Sequence, residues 1–473
     1  MVNNTDPSTK LHGRGAADGL ESRPQRCRYA LAMPAVNPAR RAVAEAIARV
    51  AARFPNLPPS HLDTAALDPA DAALATAIHR TVLQRWLTLE HLLAPLVKPG
   101  LARIEPALRA VLLTGGAQLL FMDRLPAYAV VNDAAELARA MVRLRAAGLA
   151  NAVLRRVAEL PAGRDLDSDW HPAGDVLPLD AGVLRLARPL LPDPAERLDK
   201  HLAIATSHPA RLIRRWLAHH DADAVSAIAR QSIRTPSTFV AVEPGFDPAD
   251  AADQPAIRDQ RSEITHLCWQ ADHASLTRFL AAQPLRRVQD PASTASVAAA
   301  RDLPARTILD YCAGRGTKTR QLLAEHPEAA VYATDPDAAR RAELHALARR
   351  LPIDVLEPGQ RPPAPVDLLL LDVPCSNTGV LARRPEARYR FNDKSLADVV
   401  ALQRQIIAAA LPSLKAGGHL LYATCSIEPE ENHDQARHVL QHHGGRLIAE
   451  RQILPGGAGP AYHDGSYHAV VQW

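Results

Sequence analysis

Lysine is nearly absent: of 55 basic residues only six are Lys, so almost all the positive charge is arginine. A planar guanidinium binds two phosphate oxygens at once, although genome base composition accounts for an arginine excess equally well. Acids number 51, leaving a formal net charge of +4. That balance is compatible with an anionic partner without requiring one. Aromatic residues make up only 4% of the chain, so cores must be built from Ala, Leu and Val. Five cysteines, at positions 27, 268, 312, 375 and 425, are too few and too scattered for a disulfide framework. No pair has C-x-x-C spacing, so no metal is expected, and a reducing cytoplasm is the expected compartment. No run of 18 apolar residues exists and the first residues lack an apolar core with a cleavage site. Neither a membrane span nor a signal peptide is therefore expected. A monomer is the expected state.

What is present divides into segments. A length of 473 residues calls for several domains. Residues 1–34 are polar and aperiodic and read as a disordered tail, with Met33 an alternative start. Residues 35–160 carry helical periodicity, as in ARRAVAEAIARVAARF and IEPALRAVLLTGGAQLLF, and predict an all-α bundle, with Asn132 a candidate cap. Residues 161–198, rich in Pro, Asp and Gly, read as a linker. Residues 199–300 mix helical stretches with the strand-like STFVAVEP and EITHLCWQ, predicting a small α+β subdomain. Residues 301–473 alternate short apolar runs (TILDY, VYATD, PVDLLLLD, HLLYATCS) with helical segments. That rhythm predicts a doubly wound, Rossmann-like α/β domain, whose ligands sit beyond the carboxyl ends of the strands.

The segment YCAGRGTKT follows the first of those runs. Its Gly314 and Gly316 form G-x-G, but Thr319 stands where a dinucleotide fingerprint needs a third glycine, and Lys318 follows Thr317 where a phosphate loop needs Gly-Lys-Ser/Thr. A glycine turn without a pyrophosphate requirement suits S-adenosylmethionine, with Asp335 at the end of the second run placed to accept from ribose hydroxyls. A plain strand-to-helix turn with a capping aspartate is the simpler alternative.

Two cysteines, in LDVPCSNTG and YATCSIEPEEN, end apolar runs at this ligand edge. A lone cysteine ending a strand is usually core packing. Two beside Asp372 form a chemical set. Carbon 5 of a pyrimidine is a poor nucleophile until a thiolate adds at carbon 6. An acid near N3 stabilises the charge that builds there, and proton removal from carbon 5 then frees the thiol. Cys375, Cys425 and Asp372 supply such groups, with Lys318 a source of positive field.

The stretches DYCAGRGTKT, LDVPCSNTG and YATCSIEPEEN resemble the NOL/NOP2/Sun family of RNA cytosine-5 methyltransferases, which have two catalytic cysteines. IEPALRAVLLTGGAQLLF, RLPAYAVVNDAAELAR and GLANAVLRR resemble the NusB-like, RNA-binding domain fused to the bacterial 16S rRNA enzymes of RsmB/Fmu/Sun type, over about residues 36–473. The resemblance implies an S-adenosylmethionine-dependent enzyme acting on small-subunit (16S) rRNA. It implies Cys425 as the nucleophile, Cys375 as the residue assisting product release, and Asp372 as a contact to both cytosine and cofactor. Cys312, Ala313, Gly314, Arg315, Gly316, Thr317 and Lys318 would hold the methionine end of the cofactor, and Asp335 the ribose. The sequence departs from the family loop CAAPGGKT at Arg315 and Thr317, and only Glu357 or Asp354 could replace the acid near the adenine.

Arg383, Arg384, Arg388 and Arg390, with Tyr389 and Phe391, follow the first cysteine motif. They suit phosphates and an unstacked base, or form an ordinary solvated loop. Arg211, Arg214 and Arg215 form a second cluster open to the same two readings. Glu428, Glu430 and Glu431 read as helix-start acids. Two alternatives stay open: a non-catalytic NusB-like RNA-binding protein of antitermination type, and a tRNA cytosine-5 methyltransferase.

Overall fold

The computed structural model describes residues 36–59, 62–98, 100–251, 253–258 and 264–473; the expected tail, Cys27 and Met33 lie outside them. Prolines that would break a helix interior instead open helices, where the missing N–H costs nothing. They occupy the first position of α1 (Pro38–Ala51), α2 (Pro69–Leu93) and α3 (Pro106–Phe121). Asn37 and Asp68 cap the first two by accepting from Arg40 and Asp71 backbone N–H groups. With α4 (Ala127–Met141) and α5 (Leu144–Ala158) these helices form the expected bundle. Asn132 is not a cap: it lies inside α4, whose start has no side-chain cap, and its neighbour Asp133 instead pairs with Arg40 at 2.6 Å. The apolar α3 is the central helix, and at Gly115 a Cβ would stand 2.5 Å from a methyl of Leu154 on α5, so glycine lets the two helices pack without moving that side chain.

The expected linker is an antiparallel sheet of order β1-β3-β2, made of β1 (Pro161–Asp165), β2 (Val176–Pro178) and β3 (Val183–Leu186). Its Pro, Asp and Gly belong to the turns. Gly182, at φ +73°, closes the β2–β3 turn where a Cβ would lie 2.1 Å from Asp165 O. The middle region is α+β as expected. Helices α6 (Pro194–Ala205), α7 (Ala210–Leu217) and α8 (Ala222–Gln231) precede a four-stranded sheet. Its strands are β4 (Thr238–Ala241), β5 (Ala256–Arg258), β6 (Thr265–Trp269) and β7 (Arg287–Val288), with α9 (His273–Ala282) and α10 (Pro291–Ala298) around it. One continuous core joins the bundle, the small sheet and α6–α8 to Leu381, Tyr389 and Phe391 of the C-terminal domain.

That domain carries a seven-stranded sheet of order β10-β9-β8-β11-β12-β14-β13. Its strands are β8 (Thr307–Asp310), β9 (Ala330–Ala333), β10 (Ile353–Val355), β11 (Val366–Asp372), β12 (Leu414–Thr424), β13 (Arg446–Ile453) and β14 (Ser466–Gln472). The first five in that order are parallel, while β14 runs antiparallel to β12 and β13 antiparallel to β14. The crossovers are α11 (Thr317–Glu325), α12 (Ala338–Ala348), α13 (Ala387–Arg390) with α14 (Asp393–Ala410), and α15 (His433–His442). Strand order reverses between β8 and β11, and the crevice at such a switch point is where doubly wound folds bind ligands. No described helix is long and apolar enough to cross a membrane.

Candidate active site

Leu368 to Leu371 are fully buried in β11, which ends at Asp372. Val373 adds one further rung by donating to Ala423 O of β12. Because β11 and β12 are parallel neighbours, with Asp372 opposite Ala423, the residues just past their ends emerge side by side. Those residues are Cys375 and Cys425, whose sulfurs stand 3.0 Å apart. Both are free thiols and partly accessible. The gap is too long for a disulfide, whose S–S length is about 2.05 Å, and fits S–H···S contact. Asn377 sits between them in the left-handed region, φ 63°, a conformation asparagine tolerates better than most residues. Its amide donates to Cys375 O at 2.9 Å, and its Oδ1 faces Cys425 Sγ at 3.5 Å. The Cys425 sulfur, then burial and the negative Glu431, push the Cys375 thiol well above its ordinary value.

Both cysteine loops are tied to one carboxylate. Glu431 is fully buried. Its Oε1 accepts from Ser376 N at 2.8 Å and Gln403 Nε2 at 3.1 Å. Its Oε2 accepts from the Ser426 hydroxyl at 2.6 Å and from the Ser376 hydroxyl. Ser376 follows Cys375 and Ser426 follows Cys425, so the carboxylate fixes one thiol loop against the other. Burial raises the Glu431 carboxyl above its usual range. A backbone clamp adds to this: Gly379 N donates to Cys425 O at 3.0 Å, and Gly465 N donates to Gly379 O at 2.7 Å. A Cβ on Gly379 would lie 2.6 Å from Cys425 O.

Beyond β8 the chain turns through Cys312 to Gly316. Gly314 and Gly316 both have positive φ, 57° and 77°, and Gly316 is the residue from which α11 starts. Ala313 donates to Thr334 O. Gly314 N donates at 3.0 Å to Asp335, which is buried beyond the end of β9. Lys318, in the first turn of α11 opened by Thr317, reaches across to Asp372 at 2.5 Å. Arg315 points outward to Glu343 at 3.3 Å, and is three-quarters exposed. Glu357 is exposed, paired with Arg341 at 3.2 Å, while the same Arg341 donates to Asp335 O. Asp310, which sequence reasoning passed over, lies beneath the loop. It is fully buried, Thr319 donates to one oxygen at 2.7 Å, and the other has no partner among the described residues. Burial pushes its carboxyl up to about 7. Burial and the acids Asp310, Asp372 and Asp335 also raise the Cys312 thiol, so it has no thiolate character here. No group of His, Cys, Asp and Glu among the described residues could hold a metal ion.

Two family descriptions match: "16S rRNA methyltransferase RsmB/F" over residues 301–457 and "NusB family" over residues 37–159. The ribosomal RNA small subunit methyltransferase B of Erwinia tasmaniensis is 31% identical over 85% of this chain and 90% of its own length. The Sodalis glossinidius protein of the same name is 31% identical over 92% of this chain and 96% of its own. This chain belongs to the ribosomal RNA small subunit methyltransferase B family. The solved structure of PH0851, 19% identical, shares the fold with a TM-score of 0.64 over 92% of this chain and 99% of that one.

Set in this family, the expected RNA-contacting arginines need correction. Arg388 is fully buried and donates to the carbonyls of Thr206, Ser232 and Leu381. Arg383 is held by Asp290 at 3.0 Å and by Asp464 at 2.5 Å. Tyr389 and Phe391 are core residues, and the tyrosine hydroxyl donates to Leu83 O in α2 at 2.7 Å. The segment is a strut between domains, and of the four predicted arginines only Arg384 is exposed. In the second cluster, Arg215 binds Glu428 and Glu430, and Trp216 donates to Glu428 at 3.0 Å. Glu428, Glu430 and Glu431 do stand at the start of a short 3-10 helix, Pro429–Glu431, as expected, and in addition Glu428 and Glu430 anchor Arg215 while Glu431 joins the two thiol loops. Glu431 follows closely after Cys425 in the chain, but its role becomes legible only once Ser376 is known to be a neighbour.

Proposed function

We propose that this chain transfers a methyl group from S-adenosylmethionine to carbon 5 of a cytosine in small-subunit rRNA. The observation that carries this reading is the pair of accessible sulfurs 3.0 Å apart at adjacent parallel strand ends, beside Asp372. Asp310, with an unpartnered oxygen, fits the ammonium of the methionine end. The space over Gly314 is open, since a Cβ there would meet nothing within 4 Å. Asp335 fits the ribose, and Glu357 beside it fits the adenosine side. When bound, the cofactor supplies an electrophilic methyl group.

The side chains do the rest. Cys425 adds to carbon 6 of the base, giving carbon 5 the electron density of an enamine. Asp372, held by Lys318, contacts the cytosine where charge builds on the ring. After transfer, solvent water takes the carbon 5 proton, the C5–H electron pair closes the C5=C6 double bond, and the C6–S bond breaks with its pair returning to Cys425. Cys375, whose sulfur stands 3.0 Å from that of Cys425, donates its S–H to the departing sulfur. The base must be unstacked to reach the thiols, as for other base-modifying enzymes. In this scheme Cys425→Ala abolishes methyl transfer, and Cys375→Ala accumulates a covalent RNA adduct, seen as a slow band on a denaturing gel. Full activity in Cys425→Ala refutes the reading, and bisulfite sequencing of rRNA from a strain lacking the protein locates the target.

A further inference from the structure

A groove of about 520 Å³ runs between α2, the turn after α3, the β1–β3 sheet and the segment leading into β4. Four arginines line it, Arg80 and Arg85 from α2, Arg124 from the turn and Arg164 from β1, against two carboxylates, Asp123 and Asp180. Asp180 is already engaged by the backbone N–H of Thr235 at 2.9 Å. Arg85 is only 4% exposed, and its Nη1 has no hydrogen-bond partner among the described residues. Its guanidinium lies 4.5 Å over the ring of Phe121, which also lines the groove. A buried cation costs several kcal/mol unless something pairs with it, and burial presses this one down to about 9, which still leaves it charged at neutral pH. Burial likewise lowers Arg80 and Arg164. Asp180 partly offsets Arg80 and Arg85 and Asp123 partly offsets Arg164, but four guanidiniums outnumber the two carboxylates, a surplus that suits an anion from outside the chain.

Direction adds to charge. Arg80 is shared with an adjoining recess of about 220 Å³, lined also by Arg384 and Pro385. Those residues belong to the strut that follows the Cys375 motif, and Gln84 of α2 donates to Ala382 O in it. The groove thus leads from the helical domain to the segment that continues from the thiol loop.

We propose that this groove binds successive backbone phosphates of the RNA substrate, with Arg85 at its floor and Arg80 linking it to Arg384. The inference deepens the function proposed above and rests on it. Planar guanidiniums favour phosphate through two-pronged hydrogen bonds.

The test uses the full chain, a fluorescein-labelled mixed-sequence single-stranded RNA and anisotropy titrations across a range of salt. Arg80→Gln combined with Arg124→Gln changes two positions at the groove's accessible edge, and Arg85→Gln changes its floor. Each lost charge-assisted contact is expected to weaken RNA binding about tenfold and to flatten the salt dependence by about 0.7 in log–log slope. Methyl transfer at saturating RNA keeps its kcat while KM rises. Unchanged affinity and slope in the Arg80/Arg124 variant, which is the measurement that counts should Arg85→Gln not fold, overturn the proposal and leave the enzyme reading intact. Failure of the unaltered protein to bind RNA at all removes both. Displacement of the RNA by polyglutamate as readily as by unlabelled RNA marks an acidic-peptide site and also overturns it.

Discussion

Removing the Glu431 side chain tests whether one buried carboxylate sets the distance between the two thiols. Four donors converge on it, and they differ in kind. Oε1 faces two fixed N–H donors, Ser376 N and Gln403 Nε2, while Oε2 faces two hydroxyls, those of Ser376 and Ser426. Glu431→Ala strands both N–H groups in a water-poor interior, at about 1–3 kcal/mol each, for a total of about 2–6 kcal/mol. It also frees the Ser376 and Ser426 loops, and a misplacement of about 1 Å costs on the order of 100-fold in rate. Glu431→Gln behaves otherwise. With its oxygen in the Oε1 position it still accepts from both N–H groups, and its amide nitrogen donates to the two hydroxyls, which rotate to accept. The glutamine variant should therefore keep the melting temperature and most of the turnover. Losing the charge also removes one of the influences that raise the Cys375 thiol, so that thiol should titrate at lower pH in a pH-dependent alkylation assay. Melting curves and single-turnover methylation of both variants decide the matter. An alanine variant that melts within a degree of the unaltered protein and turns over within twofold of it would falsify the reasoning.

Three further outcomes are expected. Asp310 titrates at about 7 in the folded protein against an ordinary value of 3.8, because burial disfavours its charge. A raised carboxyl stabilises the fold fully below the unfolded value and loses that contribution as pH rises toward the folded one. Over about three pH units this is at most about 4 kcal/mol. Asp310→Asn, which cannot ionise, should flatten the fall in melting temperature between about pH 4 and pH 7, and an unchanged pH slope refutes the assignment. Gly379→Ala pushes a methyl group against Cys425 O and the Gly465 backbone, so methylation should fall about 100-fold while S-adenosylmethionine binding, measured by calorimetry, persists. Arg388→Ala leaves three buried carbonyls without their donor, and a loss of about 3 kcal/mol is expected by denaturant titration. The RNA affinity of its folded fraction should not change, whereas a phosphate-contacting arginine would lower it.

Much of this protein was legible without coordinates because the signals are local. Apolar runs long enough for β8, β9, β11 and β12, each ending at or within two residues of an Asp or Cys, announced a doubly wound sheet and the residues at its ligand edge. Helical periodicity announced the bundle. Signals failed where segments were short or partners remote. The strands β1 to β3, three to five residues long and joined by Gly, Pro and Asp turns, carry too little pattern to be told from a linker. An arginine reads alike whether it meets water or three buried carbonyls, so Arg388 passed for an RNA contact. Sequence alone determined that two thiols and a carboxylate end strands. Only the tertiary structure decided that β11 and β12 are adjacent, that Ser376 and Ser426 share Glu431, and that the sulfurs meet. The physical reason is that a residue's chemistry is fixed by its own atoms, while its proton, its partner and its reach are fixed by chain 50 or more residues away.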